Sequence, residues 1–170
     1  MNKLMVFTTG GTIDKTYFDA QSNYEVGEPQ IGAILKEAGV TFDYEVRALF
    51  RKDSLELTDD DRRAIADAVA GCNETQVLIT HGTDTMTATA AALQAISGKT
   101  VVLTGALAPA KFRASDAVFN IGGAVAAAQC LPPGVYIFMS GRVFAAGKVR
   151  KNRERNRFEA IDDVERSLEP

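Results

Sequence analysis

Short apolar runs alternate with helical stretches along nearly the whole chain, and that alternation restricts the fold more than any other feature. The runs at residues 4–7, 42–50, 77–80, 101–104 and 135–139 read as strands. Between them lie four helical stretches. The first, residues 29–38, has Pro29 near its start and Gly39 past its end. The second follows a Thr58 cap and the carboxylates Asp59, Asp60 and Asp61, which suit the positive end of a helix dipole, and it stops at Gly71. The third is alanine-rich, spans residues 84–96 and is closed by Gly98. The fourth starts at Ala117 and repeats apolar residues at Val118, Ile121, Ala124, Val125 and Ala128. Strand and helix in strict alternation mean βαβ units, a parallel sheet and helices on both faces. With right-handed crossovers, the simplest solution is a flavodoxin-like, doubly wound α/β fold of strand order 2-1-3-4-5. A C-terminal hairpin is expected between Gly141-Arg142 and Ala146-Gly147, a polar turn-forming stretch over residues 14–27, and a last short helix over 161–168.

Size and composition narrow the class further. A chain of 170 residues fits one domain and buries a core without staples. An apolar fraction of 46% with 24% charged residues is a globular balance. The net charge of −3 gives no electrostatic case for nucleic-acid binding. No apolar run approaches the ~18 residues of a membrane span, and the first is too short for a signal peptide, so the expected location is cytoplasmic. Cys72 and Cys130 are far apart and read as reduced, packed thiols. The basic segment over residues 148–157 reads as a solvated, charged stretch; it lacks interleaved aromatics for stacking on bases.

Two threonine-rich turns carry the candidate chemistry. Thr9-Gly10-Gly11-Thr12-Ile13 follows the first strand, and His81-Gly82-Thr83-Asp84-Thr85 follows the third. In a 2-1-3-4-5 sheet those strands are neighbours and their helices leave on opposite faces, which opens a crevice at the strand ends. Both turns therefore face one crevice, although about 70 residues separate them. The residue types suit acyl transfer: Thr12 offers a hydroxyl nucleophile, and the glycines let backbone N–H groups approach a ligand. Thr83 and Asp84 add a hydroxyl and a carboxylate at the start of the next helix, where bound anions are favoured. Taken singly, each turn also reads as a tight turn or a helix cap. The phosphate-cradling signatures G-x-G-x-x-G and G-x-x-x-x-G-K-[ST] are absent. His81 is the one histidine; its place between strand and turn suits a buried, hydrogen-bonded ring, and no metal site is expected.

Together the residues resemble the bacterial-type L-asparaginases. T-G-G-T-I stands at residues 9–13 and H-G-T-D-T-M at 81–86. Residues 22–27 resemble that family's active-site loop, and Thr104-Gly105-Ala106 and Ser115-Asp116-Ala117 resemble two later segments. The resemblance implies that Thr12 attacks a side-chain amide to form an acyl-enzyme and that Tyr24 hydrogen-bonds to it. It implies that Thr83, Asp84 and a lysine, best matched by Lys151, form a second catalytic group. It also implies an oxyanion hole of the Gly11 and Thr83 N–H groups, L-asparagine as a small-molecule substrate, and no cofactor. Physically, a lysine beside Thr83 and Asp84 would hold the carboxylate ionised and help move a proton.

Some positions depart from the pattern. Arg51 stands where the family's substrate-binding serine is expected, which leaves Asp53 and Ser54 as candidates for the substrate's amino and carboxylate groups. The chain reads as one N-terminal-type catalytic domain over residues 1–170, without the second domain that completes a neighbour's site in the family. A homo-oligomer is therefore expected. A flavodoxin-like binding module and a non-catalytic partner subunit remain as alternative readings.

Overall fold

The computed structural model describes residues 3–17 and 24–162. Its central sheet has six strands. They are β1 (Leu4–Gly10), β4 (Tyr44–Lys52), β5 (Gln76–Thr80), β6 (Thr100–Thr104), β7 (Gly134–Met139) and β8 (Arg142–Ala145). The order is β4-β1-β5-β6-β7-β8. The first five are parallel neighbours in the expected 2-1-3-4-5 arrangement, and β8 turns back antiparallel on β7, so the residues between Gly141 and Gly147 supply one strand of a hairpin whose other strand is β7, not both strands as expected.

Among the described residues, four helices cover the sheet: α1 (Ile31–Glu37), α2 (Asp59–Gly71), α3 (Met86–Ala92) and α4 (Ala117–Cys130). Ile65 and Val69 of α2 and Met86 and Ala90 of α3 pack with Met5, Phe7, Val77 and Ile79 on one face. Ile31 and Leu35 of α1 and Ala117, Ile121 and Ala124 of α4 pack with Leu4, Val6 and Leu78 on the other. Central strands sandwiched this way are apolar on both sides, which is why they appear in sequence as continuous runs rather than alternations. The Thr58 cap is a reciprocal capping box: its hydroxyl accepts the Asp61 N–H at 3.2 Å while the Asp61 carboxylate accepts the Thr58 N–H at 2.9 Å.

Several details differ from the sequence expectations. The stretch after the first turn is not only turn: β2 (Lys15–Tyr17) and β3 (Tyr24–Val26) pair as an antiparallel ribbon. Helix α3 is shorter than expected, starting at Met86 and passing after Ala92 into tight i→i+3 turns (Leu93 to Ala90, Gln94 to Ala91, Ile96 to Leu93). Thr83 and Asp84 thus precede the helix instead of opening it, and the anion-favouring helix start expected there is absent from these residues. The basic segment forms a second hairpin, β9 (Val149–Asn152) against β10 (Arg157–Ala160). Its charges are not simply solvated. The buried Glu159 carboxylate gathers Arg157 at 2.7 Å and Asn152 at 3.2 Å, with Arg150 at 3.5 Å. The Arg157 guanidinium holds that carboxyl below the usual range. Both cysteines are free, but Cys130 is exposed rather than packed. Of the expected last helix, residues 163–168 lie outside the described residues.

Candidate active site

The crevice is built where β1 and β5 end side by side. Thr8 and Thr80 are in register across the pair, and the Thr9 hydroxyl donates to the Thr80 carbonyl at 3.1 Å. One residue beyond β1, Gly11 has φ of 91° and lies so close to Gly82 that a Cβ would overlap the Gly82 backbone. No L side chain is accommodated there: the conformation disfavours one and the neighbouring turn fills the space. Gly82 is in turn pressed against Ser54, within 2.6 Å of where its own Cβ would stand. The two threonine-rich turns therefore meet backbone to backbone.

Thr12, half-buried, opens a 3-10 turn at Thr12–Asp14 immediately after that contact. From the other turn come Thr83, 7% exposed, and Asp84. The β9 strand sends Lys151 inward. Its Nζ donates to Thr83 Oγ1 at 2.8 Å and to Asp84 Oδ1 at 2.8 Å, and its side chain is only 10% exposed. Arg153, on the same hairpin, stands at 4.0 Å from Asp84 Oδ1 and is largely exposed. The predicted set Thr83, Asp84 and Lys151 is thus one hydrogen-bonded group beside the turn that carries Thr12.

The remaining candidates are placed as follows. Asp53 and Ser54 lie at the end of β4, where a register shift opposite Thr8 and Gly10 bends the strand into a short 3-10 turn at Ser54–Glu56. The Ser54 carbonyl accepts the Thr85 hydroxyl at 2.7 Å, which binds this turn to the second threonine-rich turn. Asp53 caps the Leu55 N–H at 3.1 Å through Oδ1 and pairs with Lys15 at 2.9 Å through Oδ2. Partial burial raises the Asp53 carboxyl, but the bond to Lys15, the Leu55 N–H and the nearby Lys151 outweigh it and hold the group below the usual range. Arg51 points to Glu28, at 2.7 Å. Tyr24 is 47% exposed and packs its ring edge-on to Tyr17 at 5.2 Å and tilted to Phe112 at 6.3 Å. Among the described residues it has no hydrogen bond to Thr12. The Gly11 N–H, expected to point into the crevice, instead donates to the Lys52 carbonyl at 2.9 Å.

His81 is a structural ring. It is fully buried, its Nδ1–H donates to the Gly82 carbonyl at 2.7 Å, and its Nε2 accepts the Thr89 hydroxyl at 2.8 Å. Burial pushes its pKa down to about 4, so the ring is neutral and serves to fix the turn against α3. Sequence reasoning missed two residues of this site. Lys15 and Asp14 follow the first threonine-rich turn directly, and in sequence they are indistinguishable from solvated turn residues.

Fold and site define a doubly wound α/β domain in which two threonine-rich turns meet at the switch point, one carrying Thr12 and the other the Thr83 and Asp84 that bond to Lys151. The family model described as the asparaginase N-terminal domain matches residues 3–167, and the chain belongs to the asparaginase family. Its sequence is 30% identical over 165 residues to the glutaminase-asparaginase of Acinetobacter glutaminasificans, covering 88% of this chain and 50% of that protein. Its structure is similar to the thermostable L-asparaginase of Thermococcus kodakarensis, with TM-score 0.80 and 30% identity over 94% of this chain and 51% of that one. It is also similar to the probable cytoplasmic L-asparaginase of Campylobacter jejuni, with TM-score 0.78 and 26% identity over 94% of this chain and 52% of that one. The chain spans about half the length of the relatives it matches.

Proposed function

We propose that this protein hydrolyses the side-chain amide of L-asparagine to L-aspartate and ammonia, without a cofactor. The observation that carries this reading is the Lys151 ammonium within 2.8 Å of both Thr83 and Asp84, in the crevice that holds Thr12. The Thr12 Oγ attacks the amide carbon and the carbonyl oxygen takes up the negative charge. The Thr83 N–H, which has no acceptor among the described residues, is assigned to the oxyanion; the Gly11 N–H is committed to Lys52 in this state. One proton leaves Thr12 and one arrives on the departing nitrogen, so the step is proton-neutral. The Thr83–Lys151 pair is its relay. Tyr24 keeps the role the resemblance implies, a hydrogen bond to Thr12, in the substrate-bound state.

Collapse breaks the C–N bond, releases ammonia and leaves an aspartyl ester on Thr12. Water then attacks the ester, sends its proton back along the relay and frees Thr12. Asp84, 35% exposed, is assigned to the substrate's ammonium and Ser54 to its carboxylate. Asp53 contributes through Lys15, because both its oxygens are already engaged. The name of the Acinetobacter relative supports a side activity on glutamine.

Steady-state ammonia release from asparagine and glutamine tests the proposal. Purified protein that releases none from either amide sinks it, and thermal stabilisation by aspartate in such a protein would favour a binding module instead. We further infer a cytoplasmic homo-oligomer. Apolar Val118 and Phe119, 59% and 64% exposed on α4, offer surface for a second copy to cover. Light scattering that reports only monomer refutes the oligomer, and recovery of the protein in a periplasmic fraction refutes the location.

A further inference from the structure

Asp14 ends the 3-10 turn that Thr12 begins, and no step above uses it. It is 2% exposed and forms a knot of three hydrogen bonds. Its N–H donates to the Gly11 carbonyl at 3.1 Å, and its own carbonyl accepts the Gly27 N–H at 2.9 Å. Its Oδ1 accepts the Gln30 N–H at 2.9 Å. Gly11 belongs to the nucleophile turn, Gly27 follows the last residue of β3, and Gln30 precedes α1. The ribbon β2–β3 therefore leaves Asp14 at Lys15 and returns to it at Gly27, with Tyr24 on the returning strand. The second carboxylate oxygen, Oδ2, is buried and has no hydrogen-bond partner among the described residues. A buried carboxylate with one oxygen unsatisfied is a costly way to hold a single N–H, which an amide oxygen would also accept.

We propose that Asp14 is a positioning residue of the amide hydrolysis: its ionised carboxylate fixes the turn that presents Thr12 and the strand that carries Tyr24. The inference rests on the function proposed above. Burial pushes the Asp14 carboxyl up to about 6, against the Gln30 N–H and the Arg51 guanidinium, which favour the ionised form. Of the charged groups around it, Arg51 on β4 is paired with Glu28, and Lys15 on β2 is paired with Asp53. As pH falls through about 6, the carboxyl takes up a proton and its charge-assisted bond to Gln30 weakens.

The test compares Asp14→Asn, which keeps an oxygen for Gln30 but cannot ionise, with Asp14→Ala, which keeps neither. The wild-type kcat should show an acidic limb near pH 6 that Asp14→Asn lacks. Asp14→Ala should lose kcat by about tenfold or more at neutral pH with a KM changed less than about threefold, as a loss of orientation predicts. The amides of Gly27 and Gln30 should exchange faster in Asp14→Ala. A folded Asp14→Ala with wild-type kcat and unchanged exchange at those amides overturns the proposal, and so does an acidic limb that persists in Asp14→Asn. Failure of the proposed function looks different, because the wild-type protein itself then releases no ammonia.

Discussion

Replacing Lys151 by methionine separates what the residue does for the fold from what it does for the chemistry. The substitution keeps the length of the stem and removes the two bonds to Thr83 and Asp84, each 2.8 Å long. Hydrogen bonds to charged groups are worth about 1.5–3 kcal/mol each when fully buried. Here Asp84 is 35% exposed and recovers water once its partner is gone, and Thr83 is a neutral hydroxyl. The net loss of stability is therefore about 1–2 kcal/mol, a fall in melting temperature of roughly 2–8 °C for a domain of this size. The catalytic loss should be larger. A positioned proton relay contributes about 10²–10⁴ in rate, or ~3–5 kcal/mol of barrier. Measured well below the melting temperature, where the variant stays folded by circular dichroism, kcat should drop by at least about two orders of magnitude while aspartate still stabilises the protein. A folded Lys151→Met enzyme with kcat within threefold of wild type would refute the assignment of the relay, whatever its melting temperature.

Other outcomes follow from named contacts. Thr12→Ala should lower kcat by about 10³-fold or more with little change in melting temperature, since Thr12 is half-buried and belongs to neither core cluster of the described residues; single-turnover kinetics check this. Gly11→Ala should cost more than about 2 kcal/mol in chemical denaturation, because the φ of 91° and the Gly82 backbone both oppose a Cβ. Asp14 and His81 should oppose each other in the pH dependence of stability. The folded pKa of Asp14 is raised to about 6, so its contribution is full below the unfolded value near 3.8 and is lost as pH rises through about 6, roughly 3 kcal/mol in all. The folded pKa of His81 is lowered to about 4, so its contribution is full above the unfolded value near 6.5 and is lost as pH falls through about 4, again about 3 kcal/mol. The two slopes cancel between about pH 4 and 6, and Asp14→Asn should uncover a stability that rises with pH across that window in urea titrations. Thr89→Val should cost about 1–3 kcal/mol by leaving His81 Nε2 without its donor.

The sheet was legible because parallel strands covered on both faces are written as unbroken apolar runs, and the order followed from handedness. What escaped was local and polar. The β2–β3 ribbon has three-residue strands with polar and aromatic residues and no apolar face of its own, so it carries no period to read. Helix α3 looked longer because alanines favour helix, yet tertiary contacts, including the Gln94 amide on the Ala146 carbonyl at 3.0 Å, draw its last turn away. At the site, Thr12, Thr83 and Asp84 stood in turns whose meeting could be deduced from topology. Lys151 could not be told from its five basic neighbours by charge alone, and only the resemblance singled it out. Asp14 and Lys15 were invisible because burial and pairing depend on which strands close over a turn, and nothing within the turn encodes that.

The contact between Gly11 and Gly82 has a consequence for how this crevice can change. No side chain stands between Gly11 and Gly82, so the closest approach of the turn carrying Thr12 to the turn carrying Thr83 is a main-chain contact. Rotamer exchange and single-methyl trimming, the usual small steps by which pockets drift, have nothing to act on at that spacing. Reshaping the substrate range must therefore work from the rim, through Lys15, Asp53, Arg153 and the Tyr24 ribbon. The approach of the two turns at Gly11 and Gly82 behaves as a fixed gauge of the scaffold.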